Sequence, residues 1–324
     1  MSEYQYYEFV ALDHTLDQRQ QSELRAISTR AQITPASFVN TYEWGDLRAD
    51  PRQLVERYFD AFLYLSNWGT HRVMLRLPTG LLSTETAARY CVGEGASVWK
   101  AGEHTIIDMV AEDEDGTFEE DWSYGGGEGR LASIIPARAD LLAGDMRLLY
   151  LAWLLCVRAG EVPDDVVEPA VPPNLDSLSG SLQRVATFLR IDEDMLAVAA
   201  AASSTRQVDA PTAELERWLT TITGPEKDAL LMRVAHGDGG RVQAELRASF
   251  RHTVTPADPE EHGRRRAGEL LALVDARRAD RDRAVLQRRK RQEADRERAA
   301  ASAREKHLAA LADRQEQTWL QSMT

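Results

Sequence analysis

The chain has 324 residues, of which 43% are hydrophobic and 28% charged, enough apolar content to close a core and too much for wholesale disorder. Its 39 Lys+Arg against 52 Asp+Glu, with a pI near 5.1, exclude a body that grips nucleic acid through a general positive field. Cys91 and Cys156 lie far apart in apolar helical contexts and read as buried reduced thiols, and the opening MSEYQYYEF lacks the basic start and apolar run of a signal peptide.

In chain order, Tyr4 to Leu12 reads as a strand rich in aromatic and β-branched residues, followed by a helix over Leu16–Ser28 with Thr15 placed to cap it. A second strand covers roughly Ser37 to Trp44 and ends at the Gly45-Asp46 turn. Asp50 and Pro51 suit the first positions of a helix, whose stripe of Leu54, Tyr58, Phe62 and Leu65 runs on to a C-cap at Gly69. His71 to Leu77 then alternates as a strand, with Val73, Leu75 and Leu77 on one side and Arg72, Met74 and Arg76 on the other. A short helix near Thr84–Cys91 leads to a hairpin of Ser97–Lys100 and His104–Val110, joined by Ala101-Gly102-Glu103. An acidic loop, Glu112–Asp121, a glycine-rich segment and two packed helices up to Arg158 complete an α+β domain over 1–158. Within the second of those helices, LLYLAWLLCV is half the roughly 20 apolar residues that a membrane span needs, so it reads as a core helix.

Pro163, Pro169, Pro172 and Pro173 make 159–181 a linker with no continuous helix. Amphipathic helices over Leu182–Leu189, Glu193–Ala202, Ala213–Ile222, Glu226–His236 and Val242–Phe250 predict an all-α bundle across 182–257, with Asp192 and Thr212 as caps. The remainder, 258–324, is a long charged C-terminal helix without Gly or Pro from Glu269 onward. From Arg264 it carries 16 Lys+Arg against 10 Asp+Glu, a net of +6, which leaves −19 on the first 263 residues of a chain at −13. Leu270, Leu271, Leu273, Val274, Val285 and Leu286 give the helix an apolar start that can pack on the bundle. No large apolar residue falls between Gln287 and His307, so the a/d seam of a coiled coil is missing there.

The acids at 112–121 match no calcium-loop spacing, and Gly125-Gly126-Gly127-Glu128-Gly129 matches no phosphate-binding fingerprint; a solvated loop and a turn are the favoured readings. His104 and Asp108 share a strand face without a nucleophile beside them, and read as a structural pair. The aromatics Tyr4, Tyr6, Tyr7, Tyr42, Trp44, Tyr58, Phe59, Tyr64 and Trp68, with Arg72 and Arg76, suggest a base-stacking platform, against which stands the plainer reading of core. No catalytic residue, metal ligand or cofactor is expected.

The segments EYQYYEFVALD, ITPASFVNTYEWGD, DPRQLVERYFDAFLYLSNWGTHRVMLRLP and ASIIPARADLLAGDMRLLYLAWL resemble a family of uncharacterised bacterial proteins sharing this N-terminal region, across most of residues 3–155. The resemblance implies no activity and carries over no catalytic residue. It also implies members that continue beyond the position of Trp319, with this chain either a shorter version or one lacking a C-terminal portion.

The expectation is a non-catalytic cytoplasmic adapter, not bound to membrane, that uses its protruding helix to bind a protein partner. The contact residues would be Arg288, Arg289, Lys290 and Arg291 in the basic cluster, with Leu308, Leu311 and Trp319 at the apolar tip. The alternatives are nucleic-acid binding through phosphate contacts of the basic helix, and an enzyme with a metal-assisted site in the α+β domain.

Overall fold

The computed structural model describes residues 4–112, 129–204, 212–237, 239–254 and 262–321. At its centre is a seven-stranded antiparallel sheet in the order β2-β3-β1-β4-β5-β7-β6. Its strands are β1 (Gln5–Val10), β2 (Gln32–Thr34), β3 (Ser37–Tyr42), β4 (Ala61–Ser66), β5 (Thr70–Pro78), β6 (Ala96–Ala101) and β7 (His104–Glu112). Helices α1 (Gln18–Ile27), α2 (Pro51–Arg57) and α3 (Thr84–Ala88) lie between strands, and α4 (Arg130–Leu142) and α5 (Arg147–Arg158) follow the sheet. The α+β expectation for this part of the chain therefore holds.

Two local expectations do not. Asp17, not Thr15, caps α1: its carboxylate accepts the Gln20 N–H while the Gln20 side chain accepts the Asp17 N–H. The helix starting at Pro51 stops at Arg57, and Ala61–Ser66 is the strand β4, paired with β1 on one side and β5 on the other. Ala61, Phe62, Leu63 and Leu65 are all buried, because a central strand covered on both faces needs apolar side chains pointing both ways. That continuous run contains a helical stripe as a subset. Gly69, expected as a helix cap, takes φ +106° in the β4–β5 turn, a conformation that costs glycine little.

One face of the sheet carries Tyr7, Phe9, Phe38, Phe62, Met74 and Ile106, packed under Leu24 of α1 and Leu54 and Val55 of α2. The other carries Leu63, Val73, Leu75, Ile107 and Met109, with α4 against β4 and β5 and α5 against β6 and β7. All ten residues from Leu148 to Val157 are buried, so the most apolar stretch is a core helix as expected. Among the described residues no helix is long and apolar enough to cross a membrane. Cys91 and Cys156 are buried free thiols.

A close approach ties the turn after α5 to the loop before β6. Both Glu161 carboxylate oxygens accept the Gly95 N–H, at 3.1 and 3.0 Å, and a Cβ on Gly93 would collide with Glu161 Oε2. Gly93→Ala is expected to push this carboxylate away and cost about 1–3 kcal/mol. In a Glu161→Ala background the same substitution should cost distinctly less; equal costs in the two denaturant titrations would rule the contact out as the cause.

Beyond α5 come β8 (Val167–Pro169), α6 (Gly180–Phe188), α7 (Glu193–Ala201), α8 (Thr212–Thr221), α9 (Gly224–Ala235), α10 (Gly239–Val254), β9 (His262–Arg266) and α11 (Ala267–Gln321). Asp192 caps α7 as expected, its carboxylate accepting the Asp194 N–H at 2.6 Å. Helix α6 packs on α4 and α5, and its Phe188 carbonyl accepts from His71 Nδ1 on β5 at 2.5 Å, with the two rings stacked 4.6 Å apart. Helix α10 meets α9 and α4, and Phe250 meets Trp218 of α8 edge to face at 5.4 Å. A closed bundle would bury the apolar stripe of α9. Instead α9 buries no residue, and Leu231, Met232 and Val234 stand exposed.

The described chain forms two compact units, Met1–Leu271 and Ala272–Thr324. The described residues of the second, 272–321, belong to α11 (Ala267–Gln321), which at 55 residues is about 80 Å long at 1.5 Å per residue. Residues 262–266, expected within the charged helix, form β9, paired with β8.

Candidate functional site

On α11, Arg288, Arg289, Lys290 and Arg291 are all exposed. From 279 to 304 every side chain is exposed except the half-buried Ala294. The apolar start does not run as an anchor to Leu286: Leu270 is buried within the first unit, whereas Leu273, Val285 and Leu286 are 49%, 48% and 54% exposed. The pairs Arg278–Asp275 and Arg298–Asp295, each at 3.7 Å, and Arg283–Asp280 are local i,i+3 contacts, each worth about 0.2–0.5 kcal/mol. Leu308, Leu311 and Trp319 lie on the same helix, but their side chains are outside the described residues. So are Asp113–Asp121 of the acidic loop and Gly125–Glu128 of the glycine-rich segment. Gly129 is described, at φ +76° before α4.

The sheet separates His104 from Asp108 chemically although β7 carries both. Asp108 is 1% exposed; its carboxylate accepts from Arg72 Nε at 2.8 Å and Nη2 at 2.7 Å, and from Arg52 Nη2 at 3.1 Å. Arg52 stacks on Trp99, 5.0 Å from the ring centre, and the Trp99 indole N–H donates to Glu56 at 2.7 Å. His104 lies toward a different cluster, and burial, then the Arg76 charge, hold its imidazole below the usual range.

That cluster sits where β1 ends and β4 begins. Asp60, fully buried, accepts the N–H groups of Leu12 and Asp13 at 2.7 and 2.9 Å and Arg76 Nε and Nη2 at 3.0 and 2.7 Å. Arg138 reaches in from α4, donating to the Arg76 carbonyl at 2.8 Å and to both oxygens of Asp13. His14 Nδ1 stands 3.6 Å from Asp60. With Arg72 and Arg76 thus committed to carboxylates and Tyr7 and Phe59 in the core, the base-stacking platform is not assembled.

At the opposite end of the same sheet face is an open recess of about 500 Å³, lined by Gln5, Tyr7, Gly45, Asp46, Tyr64 and Trp68. Register builds it: Tyr7 lies opposite Tyr64, with ring centres 4.8 Å apart, and Gln5 opposite Ser66. The turn after β3, with Gly45 at φ +83°, brings in Asp46. Tyr7 Oη stands 2.6 Å from Asp46 Oδ1 and 2.8 Å from Gln5 Oε1, which Tyr64 Oη also approaches at 3.1 Å. Burial first, then the bond to Asp46, raises the Tyr7 phenol far above its ordinary value, and burial raises Tyr64 as well. No motif in the sequence marks these residues, because they meet only through strand pairing and two turns.

Two buried thiols complete the inventory: burial pushes Cys91 up to about 12 and Cys156 upward, which keeps both protonated and poor nucleophiles near neutral pH. Among the described residues no three His, Cys, Asp or Glu side chains are grouped to hold a metal ion.

Fold and sites together define an α+β protein with a doubly covered antiparallel sheet, further helices and a long exposed charged helix. Comparison with known proteins finds no matching family model, no matching curated protein and no matching solved structure.

Proposed function

We propose that this chain is a non-catalytic adapter of the cytoplasm whose C-terminal helix binds a protein partner with an acidic surface. One observation carries the reading: over 279–304 the helix exposes all but one of its side chains, including Arg288–Arg291 and the apolar pair Val285 and Leu286. A helix without tertiary burial depends on propensity and local pairs alone, whereas most helical stability in proteins comes from packing an apolar face. A partner that covers Val285 and Leu286 and pairs with the neighbouring arginines supplies the missing burial, and oppositely charged surfaces speed the encounter. The same reading extends to the helical part, where a partner closing over Leu231, Met232 and Val234 would complete α6–α10 as a bundle.

The test is affinity capture with the full chain, a chain ending at Leu271 and an Arg288→Glu, Arg289→Glu, Arg291→Glu chain. The expected result is a protein retained by the full chain, released as salt rises, and lost from both variants. Retention by the truncated chain equal to that by the full chain overturns the proposal. The nucleic-acid alternative predicts duplex DNA binding whose log affinity falls linearly with log salt, with a slope that shrinks in the charge-reversed chain.

A further inference from the structure

We propose that the recess between β1, β4 and the β3–α2 turn is a receptor for an organic cation, a guanidinium or ammonium group held by Asp46 and covered by Trp68. Oxygen acceptors crowd the floor of this recess. Tyr7 has one hydroxyl proton but stands within hydrogen-bond distance of two acceptors, Asp46 Oδ1 at 2.6 Å and Gln5 Oε1 at 2.8 Å. The Tyr64 hydroxyl is directed to the same Gln5 oxygen at 3.1 Å. Turning the Gln5 amide over does not help, because its Nε2–H donates to the Gly45 carbonyl at 2.8 Å, and the flipped amide would set two carbonyl oxygens face to face there. Asp46 Oδ1 is further occupied by the Leu47 N–H at 2.7 Å. With Tyr7 donating to Asp46 and Tyr64 to Gln5, the Tyr7 and Gln5 oxygens face each other without a proton between them, so the floor of the recess is rich in oxygen lone pairs.

A cation is drawn to that lone-pair-rich floor, and the exposed carboxylate of Asp46 gives it a counter-charge and an acceptor for its N–H groups. Trp68, 50% exposed on the rim, offers an indole face, the best side-chain surface for a cation. The chain already uses this contact next door, where Arg30 lies 4.8 Å from the ring centre of Trp44. The nearest cation on the same sheet face, Arg72, is bound through two nitrogens to Asp108, so its charge is matched there rather than in the recess.

The test uses Nα-acetyl-L-argininamide as the probe, its neutral analogue Nα-acetyl-L-citrullinamide as control, and a peptide of residues 285–299 as an arginine-rich segment, each titrated by calorimetry into the full chain. Nα-acetyl-L-argininamide is expected to bind at least tenfold more tightly than Nα-acetyl-L-citrullinamide, and Asp46→Asn to weaken it at least tenfold, about 1.4 kcal/mol. Trp68→Ala should also weaken it, and Trp68→Phe should restore part of the loss. Both positions are solvent-facing, so melting curves matching wild type will show the variants folded. Tighter binding of the peptide than of the free cation assigns the occupant to a polypeptide arginine, and the reverse assigns it to a small molecule. Equal affinity for the charged and neutral probes, or binding of the charged probe that survives both Asp46→Asn and Trp68→Ala, overturns the proposal. Neither result bears on the helix.

Discussion

Asp60→Ala is expected to destabilise the chain by about 3–5 kcal/mol, since it strips a buried arginine of its carboxylate. Arg76, 7% exposed at its side chain, would keep only the Glu56 carbonyl at 3.1 Å as a hydrogen-bond partner, and the Leu12 and Asp13 N–H groups would lose their acceptor. At a few degrees per kcal/mol for a chain of this size, the melting temperature should fall by about 10 °C. The pH dependence separates charge from packing. Burial pushes the Asp60 carboxyl up, but the Arg76 charge, the Asp13 and Leu12 N–H bonds and Arg138 together hold it below its usual range. A carboxyl depressed on folding contributes stability that is fully present above its unfolded value near 4, and this is lost as pH falls through the folded value. The stability gap between wild type and Asp60→Asn should therefore be widest at neutral pH and narrow progressively below about pH 4. A gap independent of pH in urea titrations would show that Asp60 acts by shape rather than by charge.

What could be read in the sequence followed from how local each decision is. The β6–β7 hairpin was legible because two alternating runs flank Ala101-Gly102-Glu103, and Gly102 takes the φ of +58° that such a turn asks of glycine. The Asp50–Pro51 start of α2 and the Asp192 cap of α7 were legible for the same reason. The fate of residues 61–66 was not. Phe62 and Leu65 lie at helical spacing from Leu54 and Tyr58, and only the non-local pairing with β1 and β5 turns the run into a central strand. Asp60 is the punctuation: its backbone pairs with Val10 and Arg76 while its side chain gathers Arg76 and the Leu12–Asp13 turn, so the chain leaves the helix there. The recess was illegible because Gln5, Asp46 and Tyr64 are separated by long stretches of chain and none belongs to a motif. The exposed basic cluster at 288–291 was legible from composition alone, since four consecutive cations have no neutral place to hide.

The second large effect is expected at Arg265, in a strand whose HGRRR sequence has no apolar alternation to announce it. Pairing with β8 is secured by Glu168, 1% exposed, which accepts Arg265 Nε at 3.0 Å, Nη2 at 2.9 Å and the Arg265 N–H at 3.2 Å. Tyr150 of α5 donates its hydroxyl to the same carboxylate at 2.9 Å, and burial, then the Glu168 charge, raises that phenol well above its ordinary value. Arg265 Nη1 also satisfies the Val198 carbonyl at 2.8 Å. Arg265→Ala would leave a buried carboxylate without its cation and should cost about 3–5 kcal/mol, whereas the exposed neighbour Arg266→Ala should stay within about 0.5 kcal/mol of wild type. Adding Glu168→Leu to Arg265→Ala removes the stranded charge and should recover part of the loss, because deleting a buried pair together is far less costly than breaking it. Ala267 and Leu270 are buried immediately after this strand, so amide exchange over 262–271 should quicken in Arg265→Ala and remain slow in Arg266→Ala. If the two single variants melt together, Tyr150 alone holds the Glu168 carboxylate, and the root of the long helix is fixed by apolar packing rather than by the ion pair.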